Sequence, residues 1–315
     1  MSWRDYSTLK GKIEEKSETL TKNKYSITSD ILSFQLCRRQ YGFFGVRGYQ
    51  PAHVVQFWYG MVVHQVLDKL HLHYQGLLDD STKGQIPTRK DVDKYFNYVD
   101  ESLRARGIRA INNNLRQTAL SVIKIFNEVE GPKLYPNVID TECDLQSDQG
   151  NFILHGVVDL LKENSEGKNT KNFDKVEVWD YKGSQFPDTS NKYGREKLNR
   201  YIFQMLVYAY LYKLKKGKYP LKGKLYFMNE LFTKEGLNET PPEAIYEIRF
   251  NESNITDRVE QALGNFSDTV AEIESHMEYD SWEAPDEKPD SETCDICDLR
   301  WECSAVGKRY PMRYP

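Results

Sequence analysis

Four cysteines constrain this chain more than any other feature: Cys294, Cys297 and Cys303 form a tight C-x2-C-x5-C run near one end, and Cys37 lies far away near the other. Thiolates distributed in this way converge on one soft acceptor only if the two ends of the chain meet. Four sulfurs suit either a tetrahedral zinc ion or an iron–sulfur cluster, and the spacing alone does not choose between them. Cys143 stands outside the set and reads as a small buried residue. Such a site would staple the C-terminal segment to the N-terminal helix. Removing one thiolate, as in Cys303→Ala, is therefore expected to destabilise the fold along with the site.

The 315 residues, 39% hydrophobic and 13% aromatic, can form one large or two ordinary domains with a real core. The start is polar, and no run approaches the ~18 apolar residues of a membrane helix, so the expectation is a soluble cytoplasmic protein with reduced or metal-bound cysteines. A net charge of −4 argues against binding a polyanion over the whole surface. Local cationic strips remain, each equally readable as a solvated face: Arg38, Arg39 and Arg47; Lys192, Arg195, Lys197 and Arg200; Arg300, Lys308, Arg309 and Arg313.

Residues 1–24 are polar without apolar periodicity and read as a weakly packed lead-in. Residues 25–75 read as helices, a short one over 26–44 that carries Cys37 and a longer one over 54–74 whose Val63, Val66, Leu67 and Leu70 border His64. Residues 76–137 form a polar helical insertion, with helices expected over 91–106 and 110–129. From 138 to 280 the period changes towards two. Strands around 143–146, 151–161 and 175–182 form an antiparallel meander, and a helix over 196–216 crosses to a strand over 223–230. An edge strand over 246–250 and a helix over 255–277 follow. Residues 281–315 carry the cysteine run.

The chemistry concentrates in the middle. In a strand, Asp180 and Lys182 project to one side while Trp179 and Tyr181 point to the other. Asp159 ends Gly156-Val-Val-Asp on a neighbouring strand and can bring a second oxygen to the same cation. Hard oxygen ligands suit Mg2+ or Mn2+, and Lys182 can stabilise charge building on phosphorus. Gln204 and Tyr208, four apart on the following helix, share a face. D-x-K by itself is equally an ordinary surface ion pair.

Taken in order, Gly60-x3-His64, Gly156-x2-Asp159, Asp180-x-Lys182 and Gln204-x3-Tyr208, framed by Cys37 and the late cysteine run, resemble the iron–sulfur branch of the PD-(D/E)XK nucleases. That branch includes CRISPR-associated nucleases of the Cas-four type and the nuclease domains of AddB-type and RecB-type helicase–nucleases. The string Cys37-Arg38-Arg39-Gln40-Tyr41 also resembles its entry to the first cysteine.

The resemblance implies an α/β restriction-endonuclease-like core with a helical insertion and a C-terminal iron–sulfur segment. It implies that His64, Asp159 and Asp180 bind the metal, Lys182 is catalytic, and Gln204 and Tyr208 position groups near DNA. Cys37, Cys294, Cys297 and Cys303 would hold a [4Fe–4S] cluster. The implied activity is metal-dependent cleavage of DNA, at single-stranded ends, beside a helicase or integrase partner, in repair, recombination or antiviral defence. Gly183-Ser184 depart from the family's usual threonine and glycine, and the insertion has no counterpart. A non-catalytic DNA-binding subunit and an RNA-directed nuclease remain rival readings.

Overall fold

The computed structural model of the chain describes residues 22–49, 55–165, 167–232, 237–295 and 297–306. It opens with β1 (Lys24–Ser26), followed by a chain of short helical turns rather than the single expected helix: Ile27–Leu32, Ser33–Leu36, Arg38–Gln40 and Tyr41–Val46. Cys37 occupies the break between two of these turns, in extended backbone. The helices α1 (Val55–Gln75), α2 (Arg89–Ala105) and α3 (Asn113–Val129) come next. Thr88 and Asp91 cap α2 reciprocally, and the Asn112 side chain caps α3, which fixes where each starts.

The strands β2 (Val138–Asp148), β3 (Ile153–Glu163) and β4 (Phe173–Lys182) form the antiparallel meander read from the sequence. The helix α4 (Lys192–Lys216) then crosses to β5 (Tyr219–Phe227), which lies parallel to β4, and β6 (Ile245–Arg249) adds the antiparallel edge. Finally, α5 (Ile255–Tyr279) packs beside α4. The result is a mixed α/β sheet flanked by helices, as expected. Residues 1–21 of the lead-in lie outside the described residues, as do Lys308, Arg309 and Arg313. The end of the lead-in is not loose: Lys22 pairs with Asp148 at 2.6 Å, and Lys24 belongs to β1, which runs parallel to β3. So short a strand is held by backbone hydrogen bonds and leaves no apolar period to read. Among the described residues, no helix is long and apolar enough to cross a membrane.

The sheet separates two cores. Val178 and Leu225 pack with Met205 and Tyr208 of α4 and Phe266 of α5 on one face. On the other, Trp179, Tyr181 and Tyr226 pack with Val63 and Leu67 of α1, Phe96 of α2 and Phe126 of α3. Burying a side chain of this size contributes about 1.5–3 kcal/mol. The helices of the insertion therefore form one wall of the fold and are not an appendage.

Beyond α5 the chain returns to the N-terminal turns. Asp280 caps α5 with φ +46°, and its carboxylate and carbonyl accept from Arg47 at 3.1 and 3.0 Å. Trp282 stacks on His276 and meets Tyr41 edge-on, seated so closely over Gly42 that a Cβ there would lie 1.9 Å from its ring. Arg38 donates to the Ala284 carbonyl at 3.0 Å and Gln40 to that of Thr293 at 3.1 Å. An aromatic plug and hydrogen bonds thus join the C-terminal segment to the N-terminal turns.

Candidate functional site

Local irregularity in β3 makes the site. Leu154, Val158 and Leu161 face one core and Leu160 the other, so strict alternation breaks at Asp159. One edge of β3 pairs with β1 at Ile153–His155 and with β4 only from Leu160 onward, so the two flanking strands diverge around Asp159. There the Asp159 carboxylate, instead of a ladder carbonyl, accepts the backbone N–H of Tyr181 at 2.7 Å. Across from Asp159 on β2 sits Glu142, flanked by the pairs Thr141 with Leu160 and Cys143 with Val158. Its φ of +46° is unusual for a residue with a side chain.

His64 reaches this point from α1, with Nδ1 3.2 Å from Asp159 Oδ1. One turn further along α1, Asp68 accepts from Thr141 Oγ1 at 2.8 Å, tying the helix to the strand that carries Glu142. Ligand atoms of His64, Glu142 and Asp159 all lie within 4.8 Å of one another. Glu142 was absent from the sequence-based set. Its signal was available: counting back along the hairpin from the turn at Gly150, where φ is +93°, sets it opposite Asp159.

Asp180 and Lys182 project together, as the alternation requires, towards α4. Lys182 Nζ lies 2.5 Å from Asp180 Oδ2, donates to Gln204 Oε1 at 2.8 Å and sits 4.3 Å from the centre of the Tyr201 ring. Gln204 Nε2 donates to Asp180 Oδ1 at 2.7 Å and to Tyr208 Oη at 2.9 Å. Gln204 and Tyr208, 1% and 2% exposed, are thus behind the carboxylate and position it from within. Gly156 makes room for this arrangement, since a Cβ there would meet the Tyr208 ring at 2.8 Å.

The charges are mutually arranged. Burial alone would lower His64, but the Asp159 carboxylate outweighs it and raises the imidazole to about 9. Burial would raise Asp159, yet His64 and the Tyr181 N–H hold it below the usual carboxylate range. Asp180 moves the other way: burial pushes it up, opposed by Lys182 and reinforced by the charge on Asp159. Lys182 stays protonated, because Asp180 outweighs its burial. Glu142, on the exposed rim, is pushed up to about 7 by partial loss of water around its carboxylate and by Asp159. One imidazole and several carboxylates that crowd one another in this way can hold a divalent cation, which would relieve their repulsion.

The four cysteines of the terminal set line one cavity. Cys37 and Cys294 are buried, whereas Cys297 and Cys303 are half-buried. No three of these sulfurs fall within 4.8 Å of one another. Burial pushes up the thiols of Cys37 and Cys297, and that of Cys294 to about 11. Backbone N–H groups of Arg39 and Gln40 donate to Cys37, and that of Leu299 to Cys297. Cys143 is buried elsewhere, on β2, as expected. Much of the basic surface is committed to internal contacts: Arg38 to Ala284 and Asp286, Arg47 to Asp280, Lys192 to Glu287 and Arg195 to the carbonyls of Thr189 and Ser190.

A mixed sheet that carries a carboxylate–lysine pair on one strand, beside a histidine and further carboxylates, is the kind of scaffold nucleases use. The sequence gives the family: residues 28–304 match the PD-(D/E)XK nuclease superfamily, to which the chain belongs. Among solved structures, a putative exonuclease from Eubacterium rectale overlaps with a TM-score of 0.46 at 10% identity, covering 92% of this chain and 89% of that one. The structure of SSO0001 overlaps with a TM-score of 0.34 at 14% identity, covering 96% and 95%. No curated protein matches the sequence.

Proposed function

We propose that the chain is a divalent-cation-dependent nuclease that hydrolyses DNA phosphodiester bonds, with single-stranded ends as substrate. The observation that carries this reading is the meeting of His64, Glu142 and Asp159 beside the Asp180–Lys182 pair where β3 and β4 diverge, in a chain of a nuclease family. The donor set fits Mg2+ or Mn2+: His64, Glu142 and Asp159 would hold the ion. Asp180, buried and paired through Oδ2 with Lys182 at 2.5 Å, would complete the set. Such an ion supplies Lewis-acid polarisation of a phosphoryl oxygen and a more acidic bound water. Lys182, anchored by Gln204 and Asp180, presents its ammonium to the charge that develops on phosphorus. Gln204 and Tyr208 hold Asp180 in register from behind.

This reading extends to the thiol cavity, which we assign to a [4Fe–4S] cluster bound by Cys37, Cys294, Cys297 and Cys303. Four thiols lining one cavity, with N–H groups donating to Cys37 and Cys297, support a thiolate-bound group there, and the family resemblance selects the cluster. Membership of the iron–sulfur branch and a helicase or integrase partner follow from the family resemblance. So do residues 281–315 as the cluster segment.

The test is to purify the protein without oxygen, measure iron and visible absorption, and follow Mn2+-dependent cleavage of end-labelled single-stranded DNA and RNA. Asp180→Ala serves as the control. Iron-bearing protein that cuts the DNA, with cutting abolished in Asp180→Ala, is the expected result. A folded, iron-bearing protein that binds DNA and never cuts would replace this reading with the non-catalytic subunit.

A further inference from the structure

We infer that Arg39 is the charge partner of the group held by the four thiols and sets how readily that group accepts an electron. The inference rests on the iron–sulfur reading above. The charged residues that line the four-cysteine cavity are Arg39 and Arg300, with no carboxylate among its lining residues. A thiolate-bound cluster is anionic, so the cavity has the sign its occupant needs.

Arg39 differs from the neighbouring arginines. Arg38 donates to the Ala284 carbonyl and to Asp286, and Arg300 donates to the Cys297 carbonyl at 2.8 Å. Arg38 Nε and Arg39 Nε are both buried without a partner, but only Arg38 is anchored through its Nη2; the Arg39 guanidinium carbon lies 5.3 Å from the centre of the Phe43 ring. A guanidinium keeps its charge under all ordinary conditions, and a buried cationic donor without an acceptor is costly. An anionic cluster two residues along the chain from Arg39 removes that cost. When the cluster takes one electron from an external reductant, its total negative charge grows by one. A fixed cation beside it favours that reduced state through Coulomb attraction across a cavity that holds little water.

The experiment is an EPR-monitored reductive titration with dithionite of wild type, Arg39→Gln and Arg39→Lys, with iron content and visible absorption recorded for each. In Arg39→Gln the ratio of reduced to oxidised cluster at a fixed potential should fall about tenfold, a midpoint ~59 mV more negative for one electron. Arg39→Lys keeps the charge and should stay near wild type. Loss of iron in Arg39→Gln but not in Arg39→Lys also supports the inference, because charge is then needed to hold the group. Full iron and an unmoved midpoint in Arg39→Gln overturn it, as do equal shifts, or equal loss of iron, in both variants. Wild-type protein without iron removes the cluster reading itself, whereas iron-bearing wild type with an unmoved Arg39→Gln removes this inference alone.

Discussion

Where β3 and β4 diverge, nearly every charged atom has found a partner inside the protein: His64 with Asp159, Lys182 with Asp180 and Gln204, and Gln204 with Tyr208. Thirty-seven residues into the sequence, Cys37 opens a cavity of the opposite kind, with raised thiols, apolar walls and an arginine donor bonded to nothing. The first region is held by the central sheet and by helices on both of its faces. The second joins a break between helical turns to a C-terminal segment. The contrast teaches that geometry is prepared in advance where chemistry depends on tenths of an ångström. Where an inorganic group brings its own geometry, the protein supplies a rim.

The largest effect expected tests the prepared site. Lys182→Ala should lower Mn2+-dependent cleavage of single-stranded DNA by about 10²–10³-fold with the fold intact by circular dichroism. A variant that still cuts at the wild-type rate would remove Lys182 from the chemistry. Gly42→Ala tests the other region, because overpacking against Trp282 should cost about 1–3 kcal/mol. Metal-free protein should therefore melt lower with Gly42→Ala than with Cys303→Ala. The reverse order would show that the thiols themselves fasten the segment.

Gln204→Leu should cost about 1–3 kcal/mol by removing the amide hydrogen bonds to Asp180 Oδ1 and Tyr208 Oη, measured by urea unfolding. An unchanged urea midpoint would mean that water replaces the amide. The smallest effect is on pH dependence and concerns His71, whose Nε2 lies 3.0 Å from Tyr181 Oη behind the site and which burial lowers from 6.5 to about 3. The unfolded chain takes up that proton first, so stability is lost as pH falls below 6.5, by about 1.4 kcal/mol per unit. Urea midpoints between pH 7 and 5 should fall less steeply in His71→Gln. Equal slopes would show that His71 does not titrate in this way.

The strands and long helices were legible because their periods reflect burial on a regular scaffold: α4 and β2 to β6 lie close to where the alternation put them. Asp180, Lys182, Gln204 and Tyr208 were legible for the same reason, since spacing of two in a strand and four in a helix dictates a shared face. Glu142 was missed although the hairpin register sets it opposite Asp159, because no local pattern around it marks a ligand and its backbone, at φ +46°, departs from regular strand. The helical turns around Cys37 were read as one helix, since extended backbone at one residue leaves no mark on a hydrophobic period. The Gly42–Trp282 contact was equally hidden. It joins residues far apart in the chain, and neither is unusual where it stands.

That contact bears on how the two ends of the chain are held together. A plug of Trp282 over Gly42, with Arg47 on Asp280 and Arg38 on Ala284, joins the N-terminal turns to the C-terminal segment through rings and hydrogen bonds. A substitution that loosens this plug would shift Cys37 relative to Cys294, Cys297 and Cys303, so the ring contact acts as the hinge pin of the thiol cavity.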